Sequence, residues 1–280
     1  MVRLRKAYAR VQIRIDEGTV RKAYHVDIDQ EYDKARRLHE LSNPERYAFG
    51  KPTALLLEES SIEFELVRPS MTLYRMIDSV ASGDIDIGRL LAVVGLCGEA
   101  LGAVHGALSV EGPRIWAPPE SFAAALERYG CSGSGDDVDR SLYAFGHGDF
   151  GFSNILVSDV VGGGQYITVI DSSGNGYTST GVFSFEPVYV DSGLFVSGLL
   201  GRVSLQSQHV AREWGSRLME RFLQSYEAST SLRLDRRMLI SYACASIRAY
   251  RGNYFGKVGA LPRRTILWWL ERQIRGRHAS

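Results

Sequence analysis

Residues 145–157 of the chain read FGHGDFGFSNILV. This stretch places His147, Asp149 and Asn154 close together and then continues directly into an apolar strand pattern. Polar side chains beside a buried strand cost free energy unless they find partners. We therefore expect a functional loop that leads into a strand of the core.

The residues after this loop predict a β-hairpin. The strand patterns ILVSDV and YITVID flank the glycine-rich turn GGGQ, and glycine accepts the positive φ values of such turns. Because a hairpin returns the chain to its starting point, Asp171 at its end should lie near Asp149 and Asn154. Carboxylate and carboxamide oxygens suit Mg²⁺ that also carries phosphates, and a second carboxylate can accept a hydroxyl proton. This set suits phosphoryl transfer.

The rest of the chain divides into two regions of different character. Residues 1–67 contain a helix pattern at 30–42, a loop-like segment at 42–52, and four strand patterns, which are VQIRID, TVRKAYHV, ALLLEE and SIEFELV. Residues 68–280 are mostly helical by pattern. The sequence thus predicts a small β-rich lobe at 1–67 and a larger helical lobe at 68–280.

The composition narrows the class of protein. The 280 residues carry 33 basic and 32 acidic side chains, for a net charge of +1, which is no footprint for nucleic acid. The three cysteines show no zinc-ligand spacing. By pattern, no apolar run approaches the ~18 residues that a membrane span needs, and the N-terminal residues show no leader pattern. A cytoplasmic protein is therefore expected.

The loop and hairpin resemble a known family. HGDFGFSN, at 147–154, is similar to the H-x-D-x-x-x-x-N catalytic loop of the protein-kinase-like fold, and its GFSN ending resembles aminoglycoside phosphotransferases. VIDSSG at 169–174 resembles the metal-binding aspartate segment of that family. LGAVHGAL at 101–108 and EPVYVDSGLFVSGLL at 186–200 resemble two of its helices. The resemblance implies an α+β, two-lobed kinase-like fold.

The resemblance also implies roles for the loop residues. Asp149 would be the catalytic base. Asn154 and Asp171 would bind Mg²⁺, with Asp171 as the principal ligand. His147 would orient the loop, and Asp191 would support it through hydrogen bonds. From the residues alone, Asp149, Asn154 and Asp171 could instead cap local backbone.

A lysine and a glutamate are expected in the small lobe by the same resemblance. Lys22, in phase with Val20 and Tyr24 on a strand pattern, would hold the nucleotide phosphates. Glu31 would pair with it from the following helix, and Glu40 on that helix is the rival. The spacing from Lys22 to Glu31 is short for this pairing.

The implied activity is transfer of the γ-phosphoryl group of ATP to a hydroxyl of a small molecule, such as a sugar or an aminoglycoside. ATP would lie between the lobes, beside backbone groups of Leu66, Val67 and Arg68. The sequence Asp-Ser-Ser-Gly at 171–174, in place of Asp-Phe-Gly, and the absence of an Ala-Pro-Glu motif disfavour a Ser/Thr protein kinase.

Two departures keep a second class of function open. The expected glycine-rich phosphate loop is weak, since Gly18 is the one glycine before Gly50, and the small lobe looks one strand short. These features favour a catalytically weak nucleotide-binding scaffold on the same fold. The aspartate and asparagine set of the loop favours an enzyme.

Overall fold

The computed structural model describes residues 2–5, 9–24, 27–68, 71–107, 116–159, 164–174, 178, 184–201, 208–249 and 268. Its strands are β1 (Val2–Arg5), β2 (Ala9–Arg14), β3 (Thr19–Tyr24), β4 (Tyr47–Phe49), β5 (Pro52–Leu56), β6 (Ser61–Glu65), β7 (Met71–Thr72), β8 (Tyr143–Phe145), β9 (Ile155–Asp159), β10 (Gln165–Val169) and β11 (Phe185–Pro187). Its helices are α1 (Ile28–Glu40), α2 (Leu73–Ser82), α3 (Ile87–Ala107), α4 (Glu120–Arg128), α5 (Tyr189–Gly201), α6 (Gln208–Ser229) and α7 (Arg236–Ala249).

The N-terminal sheet has five strands in the order β1-β2-β3-β6-β5, and every neighbouring pair is antiparallel. The β2–β3 turn includes Gly18 at φ +66°, a conformation that glycine adopts without steric cost. The expectation of a sheet one strand short was wrong, because residues 2–5 form an edge strand. The connection between the first two strands is therefore 6–8, and the expected phosphate loop falls outside the described residues.

The second sheet joins segments that are far apart in sequence, in the order β4-β10-β9-β7. The predicted hairpin is confirmed, because β9 and β10 pair antiparallel from Gln165 opposite Asp159 to Val169 opposite Ile155. Strand β4 pairs in parallel with β10, so the loop expected at 42–52 was wrong at 47–49. The lobe boundary at 67/68 stays a prediction, although β4 belongs to the sheet of the hairpin.

Helix α1 lies beside the N-terminal sheet and brings charge into the interior. The Asp27 side chain caps it by accepting a hydrogen bond from the Gln30 amide at 3.3 Å. Its buried residues are Glu31, Lys34, Ala35 and Leu38, which share one face at helical spacing. A count of apolar residues alone would select Tyr32 and Leu41 for that face in place of Glu31 and Lys34.

The core of the C-terminal region forms around α3, which packs against α6. A Cβ atom on Gly98 would lie 2.4 Å from the Phe222 carbonyl oxygen, so the close helix approach requires glycine there. Within the described ranges one helix, α3, is long and apolar enough to cross a membrane, contrary to the sequence-based expectation. Most of α3 is buried against other elements, as in the core helix of a globular lobe.

Candidate active site

Strand β3 directs Lys22 into a cluster with residues that follow β10. Lys22 Nζ forms an ion pair with the Asp171 carboxylate and donates to Ser173 Oγ at 2.9 Å. It also lies 4.6 Å from the centroid of the Tyr24 ring. Burial acts most strongly and by itself would lower the pKa of the Lys22 ammonium, but Asp171, Tyr24 and Glu31 together outweigh burial and raise that pKa. Lys22 is therefore a fixed cation.

Ser173 connects this lysine to helix α1. Its hydroxyl donates to Glu31 Oε2 at 3.0 Å while it accepts from Lys22. The structure thus brings Lys22 and Glu31 together through one hydroxyl group, and the short connection between β3 and α1 permits this. Burial raises the pKa of Glu31, and the neighbouring Lys22 and Lys34 oppose that rise. The rival Glu40 is exposed and pairs with Arg36 at 2.5 Å.

Asp171 has a strained backbone. Its φ is +62°, in the left-handed region, and it is one of two non-glycine residues with positive φ in the described parts of the chain. Such a conformation costs about 1 kcal/mol or more, although aspartate tolerates it better than most residues. Strained backbone of this kind collects at functional sites. Here it accompanies the turn of the chain from β10 into the cluster with Lys22.

The acid and the amide of the loop 147–154 are joined directly. Asn154 Nδ2 donates to the Asp149 carbonyl at 3.0 Å and to Asp149 Oδ2 at 2.8 Å. The Ile170 amide donates to the Asn154 carbonyl at 2.8 Å, so Asp171 follows a residue that is bonded to the loop. The hairpin therefore brings Asp171 back towards Asp149 and Asn154, as its topology requires.

Asp191 holds the start of the loop from α5. Its carboxylate accepts from the His147 amide at 2.5 Å and from the Gly148 amide at 3.0 Å. These are the hydrogen bonds expected from the sequence. On the other side, His105 Nε2 lies 3.6 Å from Asp191 Oδ2, and His105 Nδ1 shares a hydrogen bond with the Tyr226 hydroxyl at 2.8 Å. His105 is thus a packed residue near the end of α3.

The ring of His147 is buried between two phenylalanines. Its centroid lies 6.5 Å from that of Phe49 on β4 and 5.6 Å from that of Phe150. Burial lowers the pKa of His147 to about 4, because the charged imidazolium would lose its hydration there. His147 is therefore neutral near pH 7, and its expected orienting role stays a prediction.

Sequence reasoning missed one charged residue of this region, Lys34. Its side chain is buried, and Nζ donates to the His147 carbonyl at 2.9 Å. Burial lowers the pKa of Lys34, and the carboxylates of Glu31, Asp191 and Glu186 oppose that shift. The available signal was spacing, since a residue three positions after Glu31 shares its helix face.

The donor types fit a magnesium ion. Asp171 and Asn154 supply oxygen atoms, and Mg²⁺ in nucleotide sites takes one or two protein ligands together with phosphate oxygens and water. No cluster of three or more His, Cys, Asp or Glu side chains that could hold a metal by themselves exists within the described ranges. A site completed by phosphate suits such a sparse set better than a metal held by protein alone.

The residues expected to contact the nucleotide between the lobes follow β6. The Leu66 amide donates to the Gly18 carbonyl at 2.8 Å, so this group holds the end of the β2–β3 hairpin. Val67 is half-buried and Arg68 is exposed. Contact of Leu66, Val67 and Arg68 with a nucleotide stays a prediction.

Comparisons with known proteins place the fold. No family model and no curated protein matches the sequence. A solved glucosamine kinase in complex with glucosamine, ADP and inorganic phosphate is similar at a TM-score of 0.63 and 16% identity, over 96% of this chain and 81% of that one. The ADP-bound aminoglycoside phosphotransferase APH(2'')-Ib is similar at a TM-score of 0.51 and 10% identity, over 97% and 93%.

A third similar structure, the aminoglycoside phosphotransferase APH(3'')-Id from Streptomyces rimosus, gives a TM-score of 0.51 and 14% identity over 90% of this chain and 93% of that one. At these identities the shared property is the fold. The chain has the two-lobed protein-kinase-like fold, with a small β-rich lobe and a larger helical lobe. The predicted fold class and the likeness to aminoglycoside phosphotransferases in fold are confirmed.

Proposed function

We propose that this protein is a kinase that transfers the γ-phosphoryl group of ATP to a hydroxyl of a small molecule. One observation carries the proposal. The ion pair of Lys22 with Asp171 is joined through Ser173 to Glu31, and it lies beside a loop in which Asn154 holds the Asp149 carboxylate. Phosphoryl transfer needs these elements, because its catalysis is mostly positioning and charge neutralisation.

On the phosphate side, Lys22 would bind phosphate oxygens of the nucleotide, with Ser173 and Glu31 fixing its direction. Asp171 and Asn154 would hold Mg²⁺, which supplies neutralisation of the phosphate charge when bound. Lys22 and Asp171 neutralise one another in the ion pair. Each would exchange that partner for one of opposite charge on the ligand, so neither buried charge would be left uncompensated.

On the acceptor side, Asp149 would orient the hydroxyl and accept its proton. The Asn154 amide fixes one carboxylate oxygen of Asp149 at 2.8 Å, which sets the direction of the other. A general base acts through such a fixed geometry, within hydrogen-bond reach of the proton that it takes.

The segment after Asp171 and the similar solved structures support one acceptor class. Ser173 bonds to Lys22 and Glu31, so the segment 171–174 contacts residues of the small lobe. The sequence has no Ala-Pro-Glu motif that would complete a peptide-binding activation segment. The similar solved proteins are named as kinases of glucosamine and of aminoglycosides. These points support a sugar or amino-sugar hydroxyl as the acceptor.

The test is a transfer assay with γ-labelled ATP against a panel of sugars, amino sugars and aminoglycosides, and in parallel against a panel of polypeptides. Labelled product in the sugar panel that requires Mg²⁺ and disappears in Asp149→Asn supports the proposal, with Glu40→Gln as the matched active control. Label in the polypeptide panel would instead indicate a protein kinase. Nucleotide binding without transfer in either panel would indicate the scaffold.

A further inference from the structure

Lys34 has no part in the phosphoryl transfer described above, yet it lies where three segments of the site meet. It belongs to α1, its amine bonds to the loop 147–154, and Gly148 of that loop lies close to both the Lys34 amine and the Gly174 backbone. Its side chain is 1% exposed, among the most buried of the described charged groups. Burying a lysine amine this deeply costs desolvation free energy unless the amine is paired and hydrogen-bonded.

The amine bonds to one particular peptide group. The His147 carbonyl accepts from Lys34 Nζ at 2.9 Å, and the Gly148 amide donates to Asp191 Oδ1 at 3.0 Å. This carbonyl and this amide are the two ends of the same planar peptide unit. Helix α1 therefore holds one end of the peptide and α5 holds the other, and the next residue is Asp149. The orientation of this peptide, together with the backbone angles of Gly148, sets the direction in which the chain enters Asp149.

The surroundings leave this peptide little freedom. Gly148 has a φ of +90°, and a Cβ atom on it would lie 3.4 Å from Lys34 Nζ and 3.3 Å from the Gly174 backbone. Rotation of the peptide would turn its carbonyl towards the Asp191 carboxylate and its N–H towards the Lys34 amine. Both contacts would then be between like groups, so the two partners select one orientation.

Lys34 also connects this peptide to the phosphate side of the site. Glu31 lies one helical turn earlier on the same buried face of α1 and accepts from Ser173 at 3.0 Å. The same rigid helix therefore sets both the glutamate that fixes Lys22 and the lysine that fixes the peptide before Asp149. The carboxylates of Glu31, Asp191 and Glu186 favour the charged amine against the cost of its burial.

We infer that Lys34 is a positioning residue for Asp149. By holding the His147–Gly148 peptide, Lys34 fixes the position of the proposed catalytic base relative to helix α1. The expected effect of Lys34 on kcat rests on the proposed function. The structural content of the inference, a peptide held from both lobes, does not depend on turnover.

The kinetic test compares Lys34→Met with Arg36→Met. Methionine keeps most of the aliphatic volume and removes the donor, while Arg36 is an exposed residue of the same helix. Lys34→Met should lower kcat about ten- to a hundredfold, the loss expected for one hydrogen bond of a charged donor. The KM for ATP and the Kd for Mg·ADP should stay within about twofold, because the lysine contacts the base loop. An unchanged kcat in a folded Lys34→Met protein would overturn the inference.

The structural test measures amide hydrogen exchange at Gly148 by NMR, and it needs no activity. Exchange at Gly148 should be at least about tenfold faster in Lys34→Met than in the unsubstituted protein or in Arg36→Met, with α6 amides unchanged. Equal exchange at Gly148 in all three proteins would overturn the inference. If the unsubstituted protein transfers no phosphate, the proposed function fails, and the exchange result still decides the role of Lys34.

A measurement on the unsubstituted protein covers the case in which Lys34→Met does not fold. Slowly exchanging Nζ protons of Lys34 should show nuclear Overhauser contacts to the α protons of Gly148, as the short separation of these groups requires. Assigned Lys34 Nζ protons without any contact to Gly148 would overturn the inference.

Discussion

The two halves of the candidate site are held by different kinds of interaction. On the phosphate side, the contacts that join Lys22 to Asp171 and Ser173, and Ser173 to Glu31, run between side chains. In the loop 147–154, by contrast, backbone groups take part, through Asp191, Lys34 and Asn154.

This difference corresponds to different tasks. Side-chain ion pairs can exchange partners when a charged ligand arrives, since each group keeps an opposite charge nearby. A backbone fixed at several points holds one geometry and loses little on reorganisation, which favours a base that must meet a proton at a set distance. Substitutions on the phosphate side should therefore change nucleotide binding, and those in the loop should change turnover.

The largest expected effect is that of Asp149→Asn. Loss of a general base costs about 10²- to 10⁴-fold in rate, so kcat should fall by that factor. The affinity for Mg·ADP, measured by calorimetry, should change little, because in the proposed mechanism Asp149 acts on the acceptor hydroxyl. A kcat within threefold of the unsubstituted protein would refute the assignment of the base.

The next effect in size is that of Asp171→Asn on the opposite side. It removes the proposed charged metal ligand and the partner of the buried Lys22, so Mg²⁺-dependent affinity for ADP should fall about ten- to a hundredfold. The matched control is Asp159→Asn, an exposed aspartate on β9 that pairs with Arg89 at 2.5 Å. If the two variants bind ADP with equal affinity in titrations with and without Mg²⁺, the assignment of Asp171 as a metal ligand is wrong.

A smaller effect separates the two glutamates of α1. Glu31→Gln weakens the bond from Ser173 and should lower kcat/KM for ATP about three- to tenfold, the usual range for one hydrogen bond. Glu40→Gln should leave kcat/KM within about twofold, because an exposed ion pair contributes little. Steady-state kinetics of both variants make the comparison. A larger loss for Glu40→Gln would show that the rival glutamate has the role.

The last prediction concerns the protonation of His147. It should have the smallest effect on activity near pH 7, but a clear effect on the free energy of unfolding at lower pH. The folded protein lowers the pKa of His147 from 6.5 to about 4, so below pH 6.5 the unfolded chain binds more protons. The free energy of unfolding should therefore fall as pH drops from 6.5 towards 4, by an amount that approaches about 3 kcal/mol. Urea titrations at several pH values, with His147→Gln as the reference, isolate this contribution. If the free energy of unfolding depends on pH equally in both proteins, the prediction is contradicted.

The local parts of this architecture could be predicted from the sequence. The hairpin of β9 and β10 follows from two strand patterns around glycines, and the loop before it from the spacing of His147, Asp149 and Asn154. Lys22 could be placed because its strand alternates regularly. Each of these inferences uses residues that are near one another in the chain.

The parts that could not be predicted depend on distant partners. Strand β4 is short and pairs in parallel with β10, which lies far along the chain, so nothing in its own pattern identifies it. Strand β1 gains its identity from β2 alone. Lys34 was missed because periodicity arguments treat a charged residue as exposed, whereas here the His147 carbonyl and nearby carboxylates compensate its burial.

The position of β4 restricts how the two sheets can move. The chain crosses between the sheets three times, from β3 through α1 to β4, from Phe49 into β5, and from β6 back to β7. The last two connections lie side by side, because the Glu65 amide donates to the Lys51 carbonyl at 2.9 Å. The first connection carries α1, which is held to the His147 carbonyl by Lys34. We therefore expect the N-terminal sheet to bend about the two adjacent connections only as far as α1 and its bond to the loop allow.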